Sequence, residues 1–236
     1  MGRELAGGPT QSFDEQFARR EEVGPLSVVD LVPQNQTSPT VYFNLGWYSQ
    51  ISDYETSLRL AFNSGRRVLS AELPEEPEEQ KADRILRLFD TKNIRKAHIV
   101  AHSVGAISAA RAVLKDSTIV EKLALINPAG LIPDDTPEEL IRRYKDLLRQ
   151  FKGFVRTSER GSRQRIRDMA DTITGFDMNE ALGKIADKVK VLVVQAEDDG
   201  LFPKGRTVVD GRAQRFTVPG GHYSVDQAMR LALQSM

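Results

Sequence analysis

The sequence predicts an α/β protein: a mostly parallel central sheet flanked by helices, with a helical insertion. Three observations carry this expectation. From residue 41 onward, short β-branched or apolar runs alternate with amphipathic stretches, as they do when parallel strands are joined by crossover helices. The amphipathic stretches repeat apolar residues at three-to-four spacing, the mark of helices lying on a sheet face. Between residues 134 and 188 the alternation stops, and roughly fifty residues without a strand pattern are too many for an ordinary loop in a compact domain.

The elements follow in order. Residues 1–12 are expected to be a flexible terminus. Phe13 to Glu22 and Leu26 to Val32 are read as a leading antiparallel strand pair, followed by a turn over Pro33 to Pro39. Val41–Leu45, Arg67–Ala71, Ala97–Ala101, Lys122–Ile126 and Val189–Val194 are predicted strands, with Gln214–Val218 a weaker sixth. Tyr54–Phe62, Glu78–Phe89, Val104–Leu114 and Ser224–Leu233 are the predicted helices between them. In the insertion, Asp135-Thr136-Pro137 marks a helix start, and Leu140, Ile141, Tyr144, Leu147, Leu148, Phe151, Phe154 and Val155 share one face. The expected organisation is a core of residues 13–133 and 189–236 and a helical cap of residues 134–188.

Composition narrows the function. Among 236 residues, Lys plus Arg and Asp plus Glu are equal at 33 each, so no overall field draws the chain toward nucleic acid. The absence of Cys removes disulfides, thiolate catalysis and Cys-ligated zinc, and fits a reducing compartment. Three histidines are few for a multi-His metal site. The start has no apolar run of signal-peptide length and no window approaches a spanning helix, so a cytoplasmic location is expected. Gly2 is followed by Ala6 where a myristoylation motif needs Ser or Thr.

Ala101-His102-Ser103-Val104-Gly105 stands between a predicted strand and a predicted helix. Alone it has two readings, a serine displayed on a sharp turn or a serine capping the helix that begins at Val104. Downstream come Glu197-Asp198-Asp199 after the next-to-last strand, then Gly220-Gly221-His222 before the last helix. His98 falls in a predicted buried strand and His102 in the turn itself, so His222 is the histidine free to act, unless it is a plain surface-loop residue.

These residues resemble the α/β-hydrolase superfamily. Its nucleophile elbow usually reads Gly-x-Ser-x-Gly, because the turn brings strand and helix backbones close together, and its triad follows in the order Ser, Asp or Glu, His. Ala101 stands where the first glycine is usual. The resemblance covers most of the chain from about residue 41, and Ile126-Asn127-Pro128-Ala129-Gly130 looks like the strand end before the superfamily's cap. It implies Ser103 as nucleophile, His222 as general base and Asp199 as the orienting carboxylate, with Asp198 the competitor one register away. It also implies two backbone oxyanion donors, the Val104 amide and that of Trp47 in Asn44-Leu45-Gly46-Trp47; Trp47 reads equally well as packing. Neither a cofactor nor a metal is called for, and the implied partner is a small-molecule acyl substrate.

Carboxylic-ester hydrolysis makes the fewest demands on such a site, while thioester, lactone and carbon-carbon cleavage stay open. A ligand-binding protein that keeps the fold without catalysis is the alternative of another class. A serine at the elbow argues against haloalkane dehalogenases and epoxide hydrolases, which attack with a carboxylate. Finally, residues 141–168 hold ten Lys or Arg against three acids. A solvated face balanced by the acidic stretch Glu72–Asp90, membrane contact and steering of anionic substrates are the three readings. The expectation is a cap closing its apolar face over Ser103, its basic rim lending modest help to anionic acyl groups.

Overall fold

A computed structural model of the chain describes residues 12–36, 38–47, 49–150 and 163–235. One eight-stranded sheet runs in the order β1-β2-β4-β3-β5-β6-β7-β8, with β1 Glu21–Val23, β2 Leu26–Leu31, β3 Ser38–Asn44, β4 Arg66–Glu72, β5 Ala97–His102, β6 Val120–Ile126, β7 Lys190–Ala196 and β8 Gln214–Val218. β1 and β2 pair antiparallel, β2 pairs antiparallel to β4, and every pairing from β4 to β8 is parallel. The helices are α1 Phe13–Phe17, α2 Glu55–Asn63, α3 Glu78–Thr91, α4 Gly105–Lys115, α5 Pro137–Gln150, α6 Arg163–Thr174, α7 Met178–Ile185 and α8 Val225–Ser235.

Strand periodicity divides the core in two. Tyr42, Leu69, Ile99, Leu123 and Val191 lie in one buried cluster with the apolar faces of α3, α4 and α7. Their neighbours Val41, Phe43, Val68, Val100, Ala124 and Leu192 belong to the other, with residues of α2 and α8. Both faces are covered, which is why the parallel strands read as continuous apolar runs rather than alternating ones.

The start of the chain differs from the expected strand pair. Residues 13–17 form α1, closed by a capping box in which the Glu15 amide donates to Ser12 Oγ and the Ser12 amide to Glu15. The Ser-x-x-Glu spacing that makes this cap was present in the sequence. Only Glu21–Val23 enters the sheet, turning back through Gly24 at φ +60°. Pro39, expected in a turn, lies inside β3, where the register shifts between Ser38 and Val41; a residue without an N–H is accommodated at such an irregularity.

In the insertion, α5 packs on α6, whereas α7 packs on α4. Leu140, Tyr144 and Leu147 are buried, with Ile141 and Leu148 half-buried beside them. Phe151, Phe154 and Val155, expected on the same face, lie outside the described residues, as do residues 1–11 of the terminus expected at 1–12, whose last residue, Ser12, caps α1.

Candidate active site

The elbow is built by close approach. β5 ends at His102 and α4 begins at Gly105, so Ser103 makes the turn at φ +54°, a left-handed conformation that costs a non-glycine residue free energy and is kept where the surroundings fix it. Here its amide donates to the Ile126 carbonyl at 3.0 Å, and its own carbonyl accepts from Ala106 and Ala129. A Cβ on Gly105 would lie 2.2 Å from the Leu45 carbonyl oxygen, so glycine is required there. Ala101 pairs regularly with Asn44 and Leu125 and is fully buried; its methyl group fits where glycine is usual.

Ser103, Asp199 and His222 meet although they are far apart in sequence. Ser103 Oγ lies 2.9 Å from His222 Nε2, and His222 Nδ1 lies 2.9 Å from Asp199 Oδ2. The second Asp199 oxygen accepts the amides of Leu201 at 2.8 Å and Phe202 at 3.0 Å. Burial raises the Asp199 pKa, but the neighbouring His222 and those two amides outweigh it, holding the carboxyl below its ordinary range. Glu197 and Asp198 are exposed; the register of the turn after β7 aims only Asp199 inward. An ionised Asp199 accepts Nδ1–H, which leaves Nε2 to accept the Ser103 hydroxyl proton, so the three groups form a path for moving that proton.

A second network, unread in the sequence, holds this one in place. The His222 carbonyl accepts from His102 Nε2 at 3.0 Å and Asn127 Nδ2 at 2.8 Å. Because a carbonyl only accepts, His102 carries its proton on Nε2, and its Nδ1 accepts from Tyr54 Oη at 2.7 Å. Tyr54 Oη in turn accepts the Gly46 amide at 3.2 Å. Burial, helped by the nearby His222, pushes the His102 ring down to about 3, so it stays neutral. Asn127, at φ +44°, also accepts the Ala196 amide and joins the ends of β6 and β7. Asn44 donates to the Gly105 carbonyl at 2.6 Å and to Ser108 Oγ at 3.0 Å, tying β3 to α4. The sequence offered His102 only as an elbow residue and Asn127 only as part of a strand end; nothing pointed to Tyr54.

Trp47 and Val104 line the chamber that holds Ser103 and His222, with Leu140, Tyr144, Met169 and Ile173 of α5 and α6 on the opposite wall. Among the described residues the Val104 amide has no hydrogen-bond acceptor. Trp47 also packs against Tyr144, ring centroids 5.5 Å apart. The ring thus meets the cap, as the packing reading of this residue expects.

No family profile matches the chain, and no curated protein matches it in sequence. Solved structures do match in shape. The enol-lactonase of Burkholderia xenovorans LB400 superposes with a TM-score of 0.67 at 17% identity, over 92% of this chain and 98% of the lactonase. Carboxylesterase CesB of Bacillus subtilis gives 0.64 at 15%, over 94% and 93%. The meta-cleavage product hydrolase of Pseudomonas fluorescens IP01 gives 0.63 at 18%, over 89% and 93%. Together with the sheet order, the helical insertion after β6 and the elbow between β5 and α4, these likenesses establish that the chain has the α/β-hydrolase fold.

Proposed function

We propose that the protein is a serine hydrolase that cleaves carboxylic esters through an acyl-enzyme. The observation that carries this reading is the unbroken hydrogen-bond path from Ser103 Oγ through His222 to Asp199, buried at the foot of a capped chamber. Ser103 Oγ attacks the carbonyl carbon as its proton passes to His222 Nε2; Asp199 fixes the imidazole and stabilises the imidazolium. The oxyanion takes the amides of Val104 and Trp47. Collapse breaks the bond to the leaving oxygen, which leaves with the proton from Nε2, and a water activated by the same nitrogen then releases the acid.

The structural neighbours include a lactonase, a carboxylesterase and a meta-cleavage product hydrolase. Of these chemistries, cleavage of an ester, open-chain or cyclic, asks for no residue beyond those in place, and the open-chain ester is the simpler substrate. The test is labelling with a fluorophosphonate, which needs a serine activated by its base and a working oxyanion site. The wild-type protein should label at Ser103, and Ser103→Ala should not. A folded protein that takes no label would favour the ligand-binding alternative.

A further inference from the structure

Three cavities adjoin the site: one of about 110 Å³ shares Trp47 and Val104 with both of the others and lies against the Glu75, Glu78 and Lys81 end of the outer one. The inner one, which holds Ser103 and His222, measures about 20 Å³, space for one or two waters. Across Trp47, Val104 and Met169, which line both it and the outer one, lies that outer cavity, a cleft of about 490 Å³ between α6 and the loop after β4. That is the size of a ligand pocket. Neither Ser103 nor His222 lines it.

Given the serine-hydrolase reading, on which the assignment of the cleft rests, the inner chamber and the cleft are not equivalent. The leaving oxygen takes its proton from His222 Nε2, so the alcohol must sit on the His222 side, in the small chamber. The oxyanion sits at the Trp47 and Val104 amides. The acyl chain, the remaining substituent of the tetrahedral carbon, runs past Trp47, Val104 and Met169 into the cleft. We propose that the cleft is the acyl subsite, and that the substrates are esters of an extended acid with an alcohol of methanol or ethanol size.

The cleft walls set the character of the acid's far end. Glu75, Glu76, Glu78 and Asp168 face Lys81 and Arg165. Lys81 is already 2.6 Å from Glu78, and Arg165 is 3.4 Å from Glu75. Glu76 is itself held by Arg84, so the four acids outnumber the three cations that answer them by one; an entering carboxylate finds both cations of the lining already paired, whereas a hydroxyl or amide finds acceptors. The acid therefore ends in an uncharged hydrogen-bond donor. This reverses the sequence expectation of help to anionic acyl groups.

Isomeric esters separate the two ends of the substrate. Methyl octanoate should exceed heptyl acetate in kcat/KM by about tenfold or more, since several methylenes gain burial only on the acyl side. Methyl 8-hydroxyoctanoate should exceed the monomethyl ester of octanedioic acid by about tenfold at low salt, the gap narrowing at high salt. Thr172 lines the cleft on the exposed side of α6; Thr172→Trp should lower the kcat/KM ratio of methyl octanoate to methyl acetate by about tenfold. Preference for heptyl acetate, preference for the carboxylate, an unchanged profile in Thr172→Trp, or fluorophosphonate labelling without turnover of methyl octanoate would each overturn this assignment alone. Absence of label and of all ester turnover in folded protein would instead overturn the hydrolase reading beneath it.

Discussion

The triad region and the cap are both rich in polar and charged side chains, yet they are built on opposite terms. Around Ser103, the side chains of Asn44, His102, Asn127, Asp199 and His222 are all at most 3% exposed and each is held by hydrogen bonds from other parts of the chain. On α5 and α6, Arg142, Arg149, Arg165 and Arg167 are roughly half or more exposed, and their ion-pair partners Asp146, Glu75 and Glu138 are about as exposed. A buried polar network is costly to break because the surviving partners are left without water. An exposed pair contributes about 0–1 kcal/mol. Polar content therefore says little about consequence; burial decides it.

The largest effects should fall inside the triad. Ser103→Ala and His222→Ala should each lower kcat by about 10⁴-fold or more, and together by little more than either alone, because the two act as one unit. Asp199→Asn should cost about 10⁴-fold by presenting the wrong imidazole tautomer, while Asp198→Asn, at an exposed neighbour, should change kcat less than about twofold. Comparable losses in the two Asp variants would break the assignment of the orienting acid.

One cap residue belongs with the triad by this measure. Arg143 is 7% exposed, donates through Nε to the Leu201 carbonyl at 2.8 Å and pairs with the buried Asp135. It fastens α5 to the loop whose Leu201 amide holds Asp199, so it is an anchor rather than part of a basic rim. Arg143→Met should cost about 3–5 kcal/mol in urea unfolding, because it strands the Asp135 carboxylate. Arg142→Met, one position along the same helix, should cost under about 0.5 kcal/mol. Equal costs would show that burial is not what separates the regions.

The bridge from Gly46 through Tyr54 and His102 to the His222 carbonyl should show smaller effects. Tyr54→Phe removes the proton that Nδ1 accepts, and should lower kcat about tenfold with KM little changed. Adding His102→Gln should cost less than the sum of the two single changes. A second consequence is acid sensitivity. The His102 ring titrates near 3 in the fold and near 6.5 unfolded, so the unfolded chain binds a proton that the fold refuses. Stability is complete above pH 6.5 and is lost as pH falls toward 3, by up to about 1.4 kcal/mol per pH unit. His98, whose pKa is also lowered by burial and by Lys122 and Arg66, acts in the same direction. His102→Gln should flatten this slope in urea titrations between pH 7 and 4; an unchanged slope would mean the ring is not held neutral.

The same contrast explains what the sequence disclosed. The parallel strands were legible because burial on both faces leaves apolar runs, and Ser103, Asp199 and His222 stood out because the turns after β5, β7 and β8 carry them in a recognisable order. Tyr54 was not legible, since a tyrosine at the start of a helix looks like packing until the fold brings its hydroxyl to His102. Arg143 could not be told from Arg142, because burial of one charge among several is decided by the partner it meets, here Asp135 and the Leu201 carbonyl. α1 was missed for a different reason: five residues carry too little periodicity to compete with a strand reading, and only the Ser12 and Glu15 cap marked it.

The smallest expected effect tests the cap's exposed charge. Among the described residues of the basic stretch, Arg142 and Arg149 both meet Asp146, Arg165 meets Glu75, and Arg167 meets Glu138 and Asp171; Lys152, Arg156 and Arg160 lie outside them. Most of these cations are answered locally, and Arg165 alone among them reaches the acidic stretch between Glu72 and Asp90. Pairs this exposed are screened at physiological salt, where the Debye length is about 8 Å. Arg142→Gln with Arg149→Gln should therefore shift stability by less than about 0.5 kcal/mol and leave the kcat/KM ratio of a neutral to a carboxylate-bearing ester unchanged at low and high salt. Sedimentation with anionic vesicles should likewise be the same for the parent and the double variant. A difference in this ratio between the parent and the double variant, larger at low salt than at high salt, would restore electrostatic steering to the cap. Vesicle binding that the double variant loses would make the face a membrane contact, and either result would show that exposed charge here does more than solvate a helix.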